Sequence, residues 1–171
     1  EAKPAQHKAT ILFSGSAHAA ARAAAEELHA NFNVSAELWS ATSYKTLREE
    51  AVVTERWNRL HPTETPRVPR VTELLSQSSG PIVAVTDFVR SVPEQIGRYV
   101  GARTFTPLGT DGMGRSDTRE ALRDHFEVDM PHVVITVLHE LALSGQIDKS
   151  VVAEAISRYG IQTETLGALY A

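Results

Sequence analysis

Four consecutive apolar residues, Ile82-Val-Ala-Val85, restrict the fold more than any other feature of the sequence. They follow Gly80-Pro81, a pair that favours a turn or loop immediately before them. A strand that is apolar at every position has to be covered on both faces, as the central strands of parallel sheets are. The segment therefore predicts a central strand in a sheet that carries helices on both sides.

The rest of the sequence alternates between strand patterns and helix patterns. Short apolar or alternating segments predict three further strands, at residues 9–13, 34–39 and 104–108. Longer amphipathic or alanine-rich segments predict helices at residues 17–30, 44–60, 71–77, 92–99, 117–126, 131–143 and 150–159. Three prolines predict an irregular loop at residues 61–69. This alternation predicts an α/β fold, a three-layer α/β/α open sheet with mainly parallel strands.

Length and composition limit the class of protein. A chain of 171 residues fits one domain, and we expect residues 9–171 to form it and residues 1–8 to be a flexible segment. A net charge of -4 gives no overall attraction to nucleic acid or to an anionic membrane, so neither is expected as a partner. The sequence has no cysteine, which excludes disulfides and a thiolate nucleophile and favours the cytoplasm.

Glycine and charge are concentrated in residues 108–119, between a predicted strand and a predicted helix. Ligands of open α/β sheets bind at the carboxyl ends of the strands, so this loop is where a site is expected. The glycines could let backbone amides approach an anion, with Arg115 and Arg119 adding charge. The loop nevertheless lacks the Lys-Ser/Thr ending of a P-loop and the third glycine of a dinucleotide fingerprint.

Two carboxylates follow predicted strands at the same edge of the sheet. Asp87 comes after the central strand and Asp111 after the next one, while Asp117 with Glu120 resembles a capping box. We expect a mutually satisfied, buried polar network in which the loss of Arg119 would cost ~3–5 kcal/mol. The alternative is an anion site; the residues concerned in both cases are Asp87, Asp111, Gly112, Gly114, Arg115, Ser116, Asp117 and Arg119.

No catalytic or metal-binding residue is expected in this chain. The histidines form no pair at metal-ligand spacing, and Ser14-Gly-Ser16 is too short for a nucleophile elbow. Asp87 as a phosphoacceptor would need further acids near the first strand, where residues 11–16 offer none.

A candidate interface lies before the proline loop. It consists of Trp57, Arg59 and His61. Trp and Arg are enriched where partners bind, although anchoring of Trp57 in the core is the simpler interpretation.

Several long motifs resemble one enzyme family. They are Thr42-Ser-Tyr44, Glu55-Arg-Trp-Asn-Arg-Leu-His-Pro62, Thr65-Pro-Arg-Val-Pro69, Leu108-Gly-Thr-Asp-Gly112, Gly114-Arg-Ser-Asp-Thr-Arg-Glu120 and Phe126-Glu-Val-Asp129. In this order they resemble the C-terminal domain of the homodimeric, thiamine-diphosphate-dependent pyruvate dehydrogenase E1 components, from about Ala9 to the end of the chain. Met113 stands where the family usually shows Phe. The resemblance implies the transketolase C-terminal fold, in which one antiparallel strand comes first; the region before Ala9 is too short to supply it.

The resemblance also implies a fragment of a larger enzyme, which agrees with a sequence that begins without Met. Thiamine diphosphate and Mg²⁺ would lie in other domains, because Thr110 replaces the first Gly of the Gly-Asp-Gly…Asn cofactor motif and no Asn follows Asn58. The implied partners are the rest of the E1 chain, a second E1 subunit and the E2 dihydrolipoyl acetyltransferase. The alternative function is an independent anion- or phosphate-binding module that uses residues 109–119.

Overall fold

One parallel sheet forms the centre of the protein. The computed structural model describes residues 5–170, and residues 1–4 and 171 lie outside the described part. The described strands are β1 (His7–Phe13), β2 (Val34–Ser40), β3 (Ile82–Val85) and β4 (Phe105–Leu108). Their order is β2-β1-β3-β4, and each neighbouring pair runs parallel. The prediction of a mainly parallel sheet is confirmed.

Helices cover both faces of the sheet. They are α1 (His18–Phe32), α2 (Tyr44–Leu60), α3 (Arg70–Leu75), α4 (Ser91–Glu94), α5 (Arg119–His125), α6 (Met130–Leu143) and α7 (Lys149–Tyr159). One buried cluster contains residues of α1, α6 and α7, and a second contains residues of α2 and α3. The result is the predicted three-layer α/β/α arrangement.

β3 joins the two hydrophobic clusters. All four of its side chains are fully buried. Val83 and Val85 belong to the cluster of α1, α6 and α7, whereas Ile82 and Ala84 belong to the cluster of α2 and α3. Since successive side chains of a strand point to opposite faces, a run of four apolar residues is what this position requires.

Some element boundaries differ from the predictions. The predicted helix at residues 92–99 is two short turns, α4 and a 3₁₀ turn at Gly97–Tyr99, because Gly97 packs against the ring of Phe105 and is a poor helix former. β1 begins at His7, whose N–H donates to the carbonyl of Asn33 at 3.2 Å, so that the strand includes part of the segment expected to be flexible.

The predicted capping box of α5 is wrong. The helix is capped by Thr118, whose hydroxyl accepts from the N–H of Ala121 at 3.2 Å. Asp117 lies one residue earlier and accepts from the N–H of Thr118.

No helix among residues 5–170 is both long enough and apolar enough to span a bilayer.

Arg103 fixes the connection between α3 and β3, a role that sequence reasoning missed. Its guanidinium donates to the carbonyls of Gly80 (2.6 Å) and Leu75 (2.9 Å) and to the hydroxyls of Ser78 and Thr10. Burial lowers the pKa of this guanidinium, against an opposing effect of Glu37. The connection also crosses β1 closely, because a Cβ on Gly80 would lie 1.8 Å from the carbonyl oxygen of Lys8.

Replacing Arg103 should destabilise the protein. Arg103→Ala leaves the partly buried carbonyls of Gly80 and Leu75 without their charged donor, and we expect a loss of about 2–3 kcal/mol in the free energy of unfolding. Urea denaturation followed by circular dichroism measures it. The matched control is Arg98→Ala, which removes an exposed pair with Glu55 and should cost about 0.2–1 kcal/mol. Equal losses for the two variants would contradict this account of Arg103.

Asp129 and His132 start α6. The carboxylate of Asp129 caps the helix by accepting from the backbone N–H of His132, and it also accepts from the ring Nδ1 of His132 at 2.6 Å. Burial alone would lower the pKa of His132. The hydrogen bond to Asp129 and the nearby negative charges of Asp129, Glu127 and Asp124 outweigh burial and raise it.

This pair should make stability depend on pH. Folding raises the pKa of His132. The contribution of the pair to the free energy of unfolding is therefore fully present below the unfolded-state pKa of about 6.5, and it is lost as pH rises through the folded-state pKa. The stability difference between wild type and His132→Gln should therefore be larger at about pH 5.5 than at about pH 9. Thermal unfolding at both pH values measures it. A stability difference between wild type and His132→Gln of the same size at both pH values would contradict the prediction.

Candidate functional site

A cavity of about 500 Å³ opens at the carboxyl ends of the strands. The chain runs from β1 to β2 on one side and then returns to β3 on the other side of β1. Such a reversal is the topological switch point at which open α/β sheets bind ligands. The lining residues are Ser16, Ala17, Thr86, Asp87, Thr110, Asp117, Arg119, Leu122, Arg123, Phe126 and Val128. This carboxyl-edge cavity is the candidate site.

The carboxylate of Asp87 occupies the entry to α1. Its Oδ2 accepts from the N–H of Ser16 at 3.0 Å, in the 3₁₀ turn that leads into the helix. Gly15 permits this approach, because it has a φ of 57° and a Cβ there would lie 2.1 Å from Oδ1 of Asp87. Helix N-termini attract anions, and here the protein supplies one itself. The position that a bound phosphate would take is therefore filled by Asp87.

Hydroxyl groups connect the segments around Asp87. The buried hydroxyls of Ser14 and Thr86 lie 2.6 Å apart, at the ends of β1 and β3. Thr110, after β4, donates its hydroxyl to the carbonyl of Asp87 and its N–H to the carbonyl of Phe88. These bonds fix the three carboxyl ends against one another and hold Asp87 in place.

The prediction of one buried network is wrong. Asp111 pairs with Arg90, whose Nε and backbone N–H lie 2.8 and 3.1 Å from its carboxylate. Asp87 bonds to Ser16 instead of to an arginine, and within residues 5–170 neither Arg115 nor Arg119 forms an ion pair. The stretch from Gly112 to Arg119 is exposed, including Gly114, Ser116 and Asp117. A loop that crosses the surface leaves its charges in water, so these charges do not require partners.

Part of the predicted site nevertheless shares the cavity. Asp87, Asp117 and Arg119 all line it. Arg123, which sequence reasoning missed, lines it too and donates to the carbonyl of Ser16 at 3.2 Å. Arg123 lies four residues after Arg119 on α5, a spacing that places both on one side of a helix and that could have indicated its role. The lining side chains include no imidazole, so they provide no Ser-His pair for nucleophilic catalysis.

The glycine loop does not fit a metal-bound diphosphate. A Cβ on Gly109 would lie 2.5 Å from the carbonyl oxygen of Phe88, and one on Gly112 would lie 2.1 Å from that of Ala168. The two glycines therefore make room for the protein's own backbone. Asp111, the carboxylate between them, is already bonded to Arg90. The backbone at these two glycines and the carboxylate between them are therefore already engaged within the protein.

One further group of side chains is arranged like metal ligands. Asp124, Asp129 and His132 each place a ligand atom within 4.8 Å of the others. The cap of α6 and the bond between Asp129 and His132 account for the positions of two of the three side chains.

The candidate interface residues lie away from the cavity, at the end of α2. Trp57 is half-buried and stacks on His61 with 4.4 Å between ring centroids, while Arg59 and His61 are exposed.

Comparison with known proteins gives the family. The sequence profile of the transketolase-like TK C-terminal domain matches residues 1–129. The chain belongs to this family. A solved structure of a split gene transketolase, described as an inactive beta4 tetramer, superposes on this TK C-terminal domain with a TM-score of 0.56. The alignment covers 82% of this chain and 44% of that chain at 18% identity, so it supports the fold alone.

Curated relatives of this TK C-terminal domain include pyruvate dehydrogenase E1 components. The protein from Escherichia coli K12 is 46% identical over 157 residues, which are 92% of this chain and 18% of that protein. The protein from Pseudomonas aeruginosa is 43% identical over 95% of this chain, and that from Haemophilus influenzae is 41% identical over all of it. They match in their C-terminal parts. The chain spans about a fifth of the length of these relatives, 18–19%.

The contact between Gly15 and Asp87 predicts non-additive mutations. Asp87→Ala removes the acceptor for Ser16 and should cost about 1 kcal/mol. Gly15→Ala should cost more than the ~1–2 kcal/mol of a left-handed alanine, because its Cβ also meets the Asp87 carboxylate. In the Asp87→Ala background that clash is absent, so Gly15→Ala should cost only the ~1–2 kcal/mol of backbone strain.

Urea denaturation of the wild type, both single variants and the double variant measures this coupling. Arg119→Ala serves as the control at an exposed cavity residue and should change stability by less than about 0.5 kcal/mol. Strict additivity of the two changes, or a loss at Arg119 as large as at Asp87, would contradict the assigned contacts.

Proposed function

We propose that this chain is the C-terminal domain of a pyruvate dehydrogenase E1 component. The observation that carries the proposal is an identity of 41–46% to such proteins over 92–100% of the chain. By this proposal, the full chain uses thiamine diphosphate and Mg²⁺ to decarboxylate pyruvate oxidatively and passes the acetyl group to the E2 dihydrolipoyl acetyltransferase. The enzyme is a homodimer and acts in the cytoplasm, for which a cysteine-free sequence is suited.

Within that enzyme the domain has a structural and interface role. Its glycine loop does not fit the cofactor, so we assign the cofactor and Mg²⁺ to other domains of the full chain. The carboxyl edge exposes several large apolar side chains: Phe88 (55% exposed), Met113 (76%), Leu166 (72%), Leu169 (52%) and Tyr170 (77%). The segments that carry them contact one another through Thr110 with Phe88 and through Gly112 with Ala168. Exposed apolar surface of this kind marks an interface, here with the remainder of the E1 subunit or the second one.

The alternative of an independent anion-binding module is less consistent with the cavity. Asp87 places a negative charge at the start of α1, where an anion would bind. Like charges repel, and displacing the carboxylate would also leave the Ser16 N–H without its acceptor. Arg119 and Arg123 line the cavity and favour negative charge, but the carboxylates of Asp87 and Asp117 balance them.

The cofactor should distinguish this chain from the full enzyme. We expect no saturable binding of thiamine diphosphate with Mg²⁺ to the 171-residue chain in isothermal titration calorimetry. The full E1 chain should bind one cofactor per subunit and release CO₂ from pyruvate. One-to-one binding to the 171-residue chain would contradict the assignment of the cofactor to other domains. A full chain without pyruvate decarboxylation would contradict the proposed function itself.

A further inference from the structure

The second half of α2 presents a mixed apolar and cationic surface to solvent. We call it the α2 face and define it by Val53, Arg56, Trp57, Arg59, Leu60 and Arg67. Val53, Arg56, Trp57 and Leu60 follow the i, i+3, i+4, i+7 spacing that brings side chains to one side of a helix. Val53 is 67% exposed and Leu60 57%, whereas Ala51 and Thr54 on the opposite side are buried. The helix therefore has one face in the core and an apolar face without a partner in the described structure.

The chain itself orders this face. The side chain of Asn58 donates to the carbonyl of Arg67 and accepts from its N–H, both at 2.9 Å. These bonds hold the proline loop against α2. The Arg67 guanidinium then lies 3.7 Å from the centroid of the Trp57 ring, and His61 stacks on Trp57 and bonds to its carbonyl. Trp57 and Arg67 thus have fixed positions before any partner arrives.

The charge of the α2 face is opposite to that of the whole chain. Residues 56–67 contain three arginines and one acidic residue, Glu64, so they carry +3 and -1, a net charge of +2, in a chain of net charge -4. Neighbouring charges outside the face are paired, Glu55 with Arg98 and Arg70 with Glu73. Within residues 5–170, Arg56, Arg59 and Arg67 form no ion pair. Their charge is available to a partner.

We propose that the α2 face binds an acidic protein segment with apolar side chains, supplied by a separate partner of the enzyme. Carboxylates of the partner would pair with the arginines, and its apolar side chains would cover Val53 and Leu60. Trp and Arg are the residue types that most often dominate binding energy, and rigid positions lower the entropic cost of binding. This inference rests on the proposed function, because an E1 component works together with other proteins.

The charge of the α2 face and the fixed positions of its side chains distinguish between its possible binding partners. A symmetric contact with a second copy would place two cationic α2 faces against each other, and this repulsion costs free energy. A non-symmetric contact between copies would not close into a dimer. The rest of the same chain would cover the face permanently, and such surfaces are more apolar and carry fewer charges. An exposed, pre-ordered face with unpaired arginines is suited to a transient interaction with a separate protein.

The first experiment asks whether the full E1 chain leaves the face uncovered. Hydroxyl-radical footprinting followed by mass spectrometry reports the exposure of individual side chains. In the full chain without added protein, Leu60 should be oxidised much faster than the buried leucines Leu28 and Leu141. Protection of Leu60 to the level of those references would show that the E1 protein covers this face itself and would overturn the proposal.

The second experiment tests the chemistry of the partner with a defined probe. The probe is a helical peptide of about 20 residues, built from Glu and Leu with the leucines on one side, and its control replaces every Glu by Lys. The Glu peptide should bind the full chain at least about ten-fold more tightly than the Lys peptide, and more weakly as salt rises. Fluorescence anisotropy of labelled peptide measures both. Absent or equal binding would overturn the proposal.

Charge reversal locates the binding. Arg59→Glu should weaken binding of the Glu peptide at least about ten-fold, and Arg59→Lys should largely retain it. Arg22→Glu makes the same charge change at an exposed position of α1 and should leave the affinity unchanged. Equal losses in Arg59→Glu and Arg22→Glu would overturn the proposal, because net charge alone would then explain the binding. Thermal melts of each variant confirm that it is folded.

The two proposals fail separately. If the full chain binds the Glu peptide through Arg59 but releases no CO₂ from pyruvate, the proposed function is wrong and the binding chemistry of the α2 face stands. If the full chain decarboxylates pyruvate and does not bind the peptide, the proposed function stands and the proposed binding chemistry of the α2 face is wrong.

Discussion

The complete burial of β3 between two helix layers is the constraint on which the rest of the structure depends. A strand without a polar side chain has to lie at the centre of the sheet, between β1 and β4. The connection from β2 to β3 also crosses β1, and this reversal of strand order creates the carboxyl-edge cavity. Asp87 lies in the cavity because it is the second residue beyond β3, where the chain first leaves the core. The buried core strand and the candidate site therefore adjoin each other at the carboxyl end of β3.

At the carboxyl edge of the sheet, side chains and backbone groups of the protein occupy the positions where a ligand could bind. Asp87 caps the entry to α1, Arg90 neutralises Asp111, and Gly112 receives the carbonyl of Ala168. In related α/β folds such positions accept a phosphate or a metal-bound cofactor. Here the same geometry connects three strand ends and the C-terminal segment to one another. This internal use of the switch point supports the structural and interface role that we propose for the domain.

The sequence predicted local features better than long-range ones. The strand Ile82–Val85 and the helix Tyr44–Leu60 have their predicted bounds, because their hydrophobic periodicity and capping residue are local signals. The prediction of a buried network failed because it paired residues only by their position at one edge of the sheet. Several charged or polar partners are available to each residue at that edge. Asp111 pairs with Arg90, five residues after β3, and Arg115 and Arg119 lie exposed to water. Nothing local to Arg103 indicates that it contacts Thr10, 93 residues away.

The sequence by itself determined the fold class, the succession of strands and helices along the chain, and the family. Apolar periodicity and long motifs are local patterns that can be identified without the structure. Only the tertiary structure decided which groups neutralise one another: Asp87 with the Ser16 amide, Asp111 with Arg90, Arg103 with the Gly80 carbonyl. Only it showed that Asn58 and Trp57 order the arginines of the α2 face. Burial depends on residue type and spacing, which can be read locally. Hydrogen bonds and ion pairs depend on distances of a few ångströms between segments far apart in sequence, and only the packed chain fixes those distances.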